Sequence, residues 1–139
     1  MKLIDYIRGW LSAAAIYVVV NLTVGVVLTE VLDTSSTASE FQAAAYSAWL
    51  LPAALSAVAA IVAVRRRVTA AWWKWLILTV VIPTVGGAMA LAFALDRNAT
   101  IMNILPEVVV HVVLAGVLGV TGGTILNAVR KAARVGRNP

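Results

Sequence analysis

The sequence predicts an all-α integral membrane protein, a four-transmembrane-helix antiparallel bundle with both termini in the cytoplasm, and three observations predict it. Hydrophobic residues make up 62% of the 139 residues and charged ones only 12%, which lies outside the range of soluble globular domains. Four apolar segments each reach the roughly 20 residues that a helix needs to cross a bilayer core of about 30 Å. The charges are also sorted between the connections. Lys and Arg fall before the first segment, between the second and third, and after the fourth, with Arg97 alone misplaced. The acids Glu30, Asp33, Glu40, Asp96 and Glu107 fall in or beside the other two connections, with Asp5 the exception. The positive-inside rule then assigns the basic side to the cytoplasm.

The first expected helix covers residues 10–31, behind Lys2 and Arg8. Its apolar run exceeds the roughly 7–15 residues of a signal-peptide core, so a retained signal anchor is expected. Tyr17, Asn21, Gly25 and Thr29 recur four apart and share one stripe. Counted from Trp10 as the inner anchor, Asn21 stands about 16 Å deep, near the midplane. There its amide needs an interhelical hydrogen bond or a wet path.

The second helix, residues 41–64, follows the polar run Asp33-Thr34-Ser35-Ser36-Thr37, a connection short enough to join only neighbouring antiparallel helices. It is Ala-rich, and Pro52 predicts a kink. Arg65, Arg66, Arg67 and Lys74 lead into the third helix, residues 72–95, whose Trp72, Trp73 and Trp75, like Tyr6 and Trp10, suit the headgroup level. This basic, Trp-rich segment also suits anionic lipid. Within the third helix Pro83, Thr84, Gly86 and Gly87 form a deformable region, and Gly86, Ala90 and Ala94 form a small face. The outer turn contains the glycosylation sequon Asn98-Ala99-Thr100.

The fourth helix, residues 104–129, carries the longest stripe: Glu107, His111, Ala115, Gly119, Gly123 and Asn127. Its small members permit close backbone approach, either inside the bundle or between copies. Pro106 suggests a helix start, where Glu107 favours the dipole. Both Glu107 and His111 are then expected near the outer interface, with a pH-sensitive or permeation role as the sharper alternative. Arg130 and Lys131, followed by Arg134 and Arg137, close the basic side.

The chemistry available is narrow. One His and no Cys leave no paired-imidazole haem site and no thiolate chemistry, and no phosphate-binding loop, dinucleotide turn, zinc-protease motif or nucleophile elbow occurs. No metal site, cofactor, nucleic-acid partner or enzymatic activity is expected. Residues 1–139 are expected to form one transmembrane domain in a prokaryotic cytoplasmic membrane. The function expected first is an uncoupled channel or transport subunit for a small solute or ion, assembled through the small-residue faces as a homo-oligomer. The alternatives are a non-catalytic accessory or assembly subunit of a larger membrane complex, and a lipid-active membrane enzyme. The lack of Asp, Glu, Lys or Arg in the middle of any expected span disfavours ion-coupled transport.

Overall fold

A computed structural model describes residues 1–27, 50–65, 70–96 and 101–135. Among these the chain forms four α-helices: α1 Leu3–Val27, α2 Leu51–Val64, α3 Trp72–Asp96 and α4 Ile101–Val135. Three segments, Leu3–Val27, Trp72–Ala92 and Leu105–Ala133, are long and apolar enough to cross a membrane. With 14 residues, α2 is about 21 Å long and too short to do so by itself. The first part of that expected span, residues 41–49, lies outside the described residues. So do Thr29, Arg66, Arg67, the connection 32–40 and the turn with its sequon.

The outside of the bundle is apolar and its inside is small. Leu11, Leu22 and Ile125 are 67%, 66% and 64% exposed, whereas Ala13, Ala53, Ala57, Ala60 and Ala115 are fully buried. Water disfavours so continuous an apolar surface, and hydrocarbon does not. Hydroxyls follow the same logic. Thr23, Thr84 and Thr121 donate to the carbonyls four residues back at 2.7–2.8 Å, so each is satisfied within its own helix.

Helix α1 begins at Leu3, seven residues before the expected Trp10, and Asp5 supplies the reason. Its carboxylate accepts the Lys2 backbone N–H at 2.8 Å, as the third-position acid of a capping box does, at the positive end of the helix dipole. Asp5 is therefore a cap, which accounts for its departure from the charge pattern. The earlier start turns Tyr6 and Trp10 inward. Their rings lie 5.5 Å apart and pack on a core of Ala13, Ala60, Val64, Trp75 and Leu78. Trp75, expected among the interfacial anchors, is fully buried instead. Trp72 and Trp73 stay exposed, with the Lys74 ammonium 5.2 Å from the Trp73 ring centre.

Pro52 and Pro106 sit at other helix positions than expected. Pro52 occupies the first turn of α2, where its missing N–H breaks no helical bond. Pro83 lies inside α3, which continues past it to Asp96. Pro106 lies inside α4, because that helix starts at Ile101. Glu107 is thus past the first turn, where the dipole favours an acid most.

Contacts fix how the helices run. Trp75 lies against Gly123 and Val108 beside Gly87, so α3 and α4 are antiparallel; Leu78 lies against Gly9 and Tyr17 against Gly86, so α1 and α3 are parallel. The helix ends bearing Lys2, Arg65, Lys74 and Arg130 are thereby gathered at one end of the bundle.

The small stripe on α4 is used inside the chain. A Cβ at Gly123 would overlap the Trp75 indole, and one at Gly119 would overlap the Thr79 hydroxyl and stand 2.9 Å from the Trp75 carbonyl oxygen. By contrast, a Cβ at Gly25 meets no described atom within 4 Å, so the described packing does not call for glycine there. Asn127 serves a local purpose. Its Nδ2 donates to the Ala70 carbonyl at 2.7 Å and its Oδ1 accepts the Ala70 N–H at 3.4 Å, which pins the segment entering α3 to α4. Asn127→Leu is expected to lower thermal stability in mild detergent by about 1–3 kcal/mol, since it strands two backbone groups. An unchanged unfolding temperature would show that the clamp is dispensable.

Candidate functional site

A cavity of about 710 Å³ lies between α1, α3 and α4. It is lined by Tyr17, Val18, Asn21 and Leu22 from α1, by Gly86, Gly87, Met89 and Ala90 from α3, and by Glu107, Val108 and His111 from α4. Three short sequence stripes meet here. Tyr17 with Asn21, Gly86 with Ala90, and Glu107 with His111 are each four apart, so each pair shares a helix face one turn long.

The two glycines make the meeting possible. A Cβ at Gly86 would stand 2.7 Å from Cε1 of Tyr17, and one at Gly87 would overlap the Val108 side chain. Without them α1 and α4 could not bring their side chains so close to α3. Tyr17 and His111 then meet edge to face, with ring centres 6.4 Å apart and planes at 87°, the arrangement that sets a positive ring edge against a π face. His111 is buried, at 6% exposed. It stands about 24 Å from Asn127 along α4.

Asn21 lies in the second half of the described α1. Because α1 starts at Leu3, the amide lies about 27 Å along it and past its midpoint. Its Nδ2 donates to the Tyr17 carbonyl of the same helix at 2.9 Å, so that bond joins no second helix. Asn21 and Glu107 sit one turn beyond Tyr17 and His111, further from the basic end. Toward that end the bundle is filled by Ala13, Ala60, Val64, Trp75 and Leu78.

The site thus combines a carboxylate, an imidazole, a phenol and an amide in a mainly apolar wall. Among the described residues no Lys or Arg lines it, and no group of three or more His, Cys, Asp or Glu is placed to hold a metal. Of the polar residues that the sequence singles out, Tyr17, Asn21, Glu107 and His111 converge here, while Asn127 does not. Arg65 and Lys131 are exposed at the basic end. Val18, Leu22, Met89 and Val108 carry no signal of their own. They become visible only as neighbours of the stripes, since an apolar residue on an apolar helix is equally suited to core, lipid or cavity. No known protein family, curated protein or solved structure matches the chain.

Proposed function

We propose that the protein is an integral membrane subunit of the transport class, non-enzymatic and uncoupled, and that the cavity between α1, α3 and α4 is its site for a small solute or ion. The observation that carries this is the convergence of Tyr17, Asn21, Glu107 and His111 on one cavity of about 710 Å³, a size typical of small-molecule sites. Thr23, Thr84 and Thr121 are tied back to their own helices, whereas these four side chains line one shared space. Polar and ionisable groups inside a membrane carry a cost that function usually explains.

In the proposed topology all four apolar segments cross a prokaryotic cytoplasmic membrane as an antiparallel bundle, with the basic end and both termini inside. The gathering of Lys2, Arg65, Lys74 and Arg130 at one end of the bundle supports it, and anionic lipid is the natural partner of that end. The cavity then lies in the outer half and the Trp75 core closes the inner half. Passage requires rearrangement of that core, for which Pro83 in α3 is a suitable hinge, or a path completed between copies in a homo-oligomer. Since the chain has no Cys, single cysteines report sidedness cleanly. Ser35→Cys and Asn98→Cys are expected to react with an impermeant maleimide from outside, and Arg66→Cys only from inside. Labelling of Ser35→Cys from the cytoplasm alone would overturn the topology.

The function itself is tested by solute flux into liposomes containing the purified protein. Asn21→Leu is expected to leave assembly and thermal stability near wild type, because its described bond lies within α1, and to reduce flux at least about tenfold by dewetting the cavity. Equal flux in a fully assembled variant would contradict the role of the site. One observation favours the accessory-subunit reading instead. Among the described residues, the buried residues of α1 are Asp5, Gly9 and Ala13, all in its first half, and the large apolar side chains of Val18, Val19, Leu22 and Val26 are exposed, a face that a larger partner could cover. Recovery only with such a partner, and no flux alone, would select it.

A further inference from the structure

We propose that the ligand of this cavity is a monovalent lipophilic cation, an organic ion whose charge is met by Glu107 and whose apolar groups lie against Tyr17, Met89 and Val108. The proposal deepens the transport reading by naming the chemical class that the site accepts.

The sign comes from the lining. Among the described lining residues Glu107 is the one acid and none is Lys or Arg, while Tyr17 and His111 are the remaining titratable groups. A carboxylate in an apolar wall costs free energy unless a counter-charge joins it, and the bound cation supplies that charge. An anion would meet a like charge instead, with His111 the one basic side chain among the described lining residues. The Tyr17 ring adds a face for cation–π attraction.

The lipophilic character comes from what surrounds the acid. A small inorganic cation must exchange its water for several oxygen ligands, and among the described lining residues only Tyr17, Asn21 and Glu107 carry side-chain oxygens, with a single carboxylate between them. Instead Val18, Leu22 and Met89, which border the cavity, are 55%, 66% and 56% exposed. These large apolar side chains offer a rim over which a ligand dissolved in hydrocarbon can pass without full hydration. An organic cation with spread charge suits both the apolar rim and the single carboxylate.

The test uses two ions of nearly the same size and shape but opposite charge, tetraphenylphosphonium and tetraphenylborate. Saturable binding to the purified full chain is measured above that of empty micelles. The expected result is about one phosphonium per cavity, at least tenfold weaker saturable binding of the borate, and loss of most phosphonium affinity in Glu107→Gln. Equal saturable binding of both ions, or unchanged phosphonium affinity in a folded Glu107→Gln, overturns the proposal. Should that variant fail to fold, the comparison of the two ions on the wild-type protein still decides. Glu107-dependent phosphonium binding without flux in liposomes removes the transport reading and leaves the ligand class standing. Flux of a neutral or anionic solute, with no saturable phosphonium binding, does the reverse.

Discussion

Gly123→Leu is expected to unfold or disassemble the protein in mild detergent, and Gly119→Leu to do nearly the same. At Gly123 the obstacle is the face of the Trp75 indole, fully buried and packed on the bundle's core. At Gly119 it is the Trp75 carbonyl, 2.9 Å from the would-be Cβ, and backbone inside a continuous helix yields little. Overpacking a core typically costs about 1–3 kcal/mol, occasionally more, and with no slack on either side these positions should lie at or above the top of that range. Leu118→Ile, on the same helix, should shift the unfolding temperature only slightly. A sharper check pairs Gly123→Leu with Trp75→Ala. If the indole is the obstacle, the double variant loses less than the two single losses added together, since contacting residues are not independent. Strict additivity, or wild-type stability of Gly123→Leu, would mean that the stripe faces lipid.

The same residues show what could be read from the sequence and what could not. Four-residue spacing alone places Gly119 and Gly123 on one face, and Tyr17 with Asn21 on another, because the helical period fixes faces whatever the tertiary structure. Charge sorting likewise marks which helix ends belong together, and the structure gathers those ends. The start of α1 is harder to read, because an acid that caps a helix and an acid that faces water look alike in sequence, and Asp5 hides the start at Leu3. Trp75 was misplaced for a related reason. A Trp beside Lys74 suits the headgroup level, and only the gap at Gly123, 48 positions further along the chain, reveals that the ring turns inward. Gly9 was passed over altogether, although a Cβ there would overlap the Leu78 side chain. A lone glycine in an apolar run carries no partner's name. The cavity is the clearest case, because it exists only where three separately legible stripes meet.

Ala90→Trp is expected to abolish flux while leaving the fold intact. Ala90 lines the cavity from α3 and is exposed, so its Cβ points into space and not into packed neighbours. A Trp side chain there occupies much of the volume beside Asn21 and Glu107, and displaces solute without touching the Trp75 core. The expected loss is at least about a hundredfold in flux, with thermal stability within about 1 kcal/mol of wild type, since additions outside a filled core meet no overpacking penalty. Ala128→Trp, exposed on α4 near the basic end, serves as the matched control and should transport normally. Flux surviving in Ala90→Trp would move the path to another part of the molecule.

The most direct measurement is side-specific modification of Ala90→Cys, the sole thiol in the chain, followed by flux through the same liposomes. If the cavity faces outward and holds the solute, an impermeant maleimide added from outside reacts with this cysteine and blocks flux in proportion to the fraction modified. The same reagent enclosed inside the liposomes does neither. Complete modification from outside with flux unchanged, or reaction only from inside, would contradict the account.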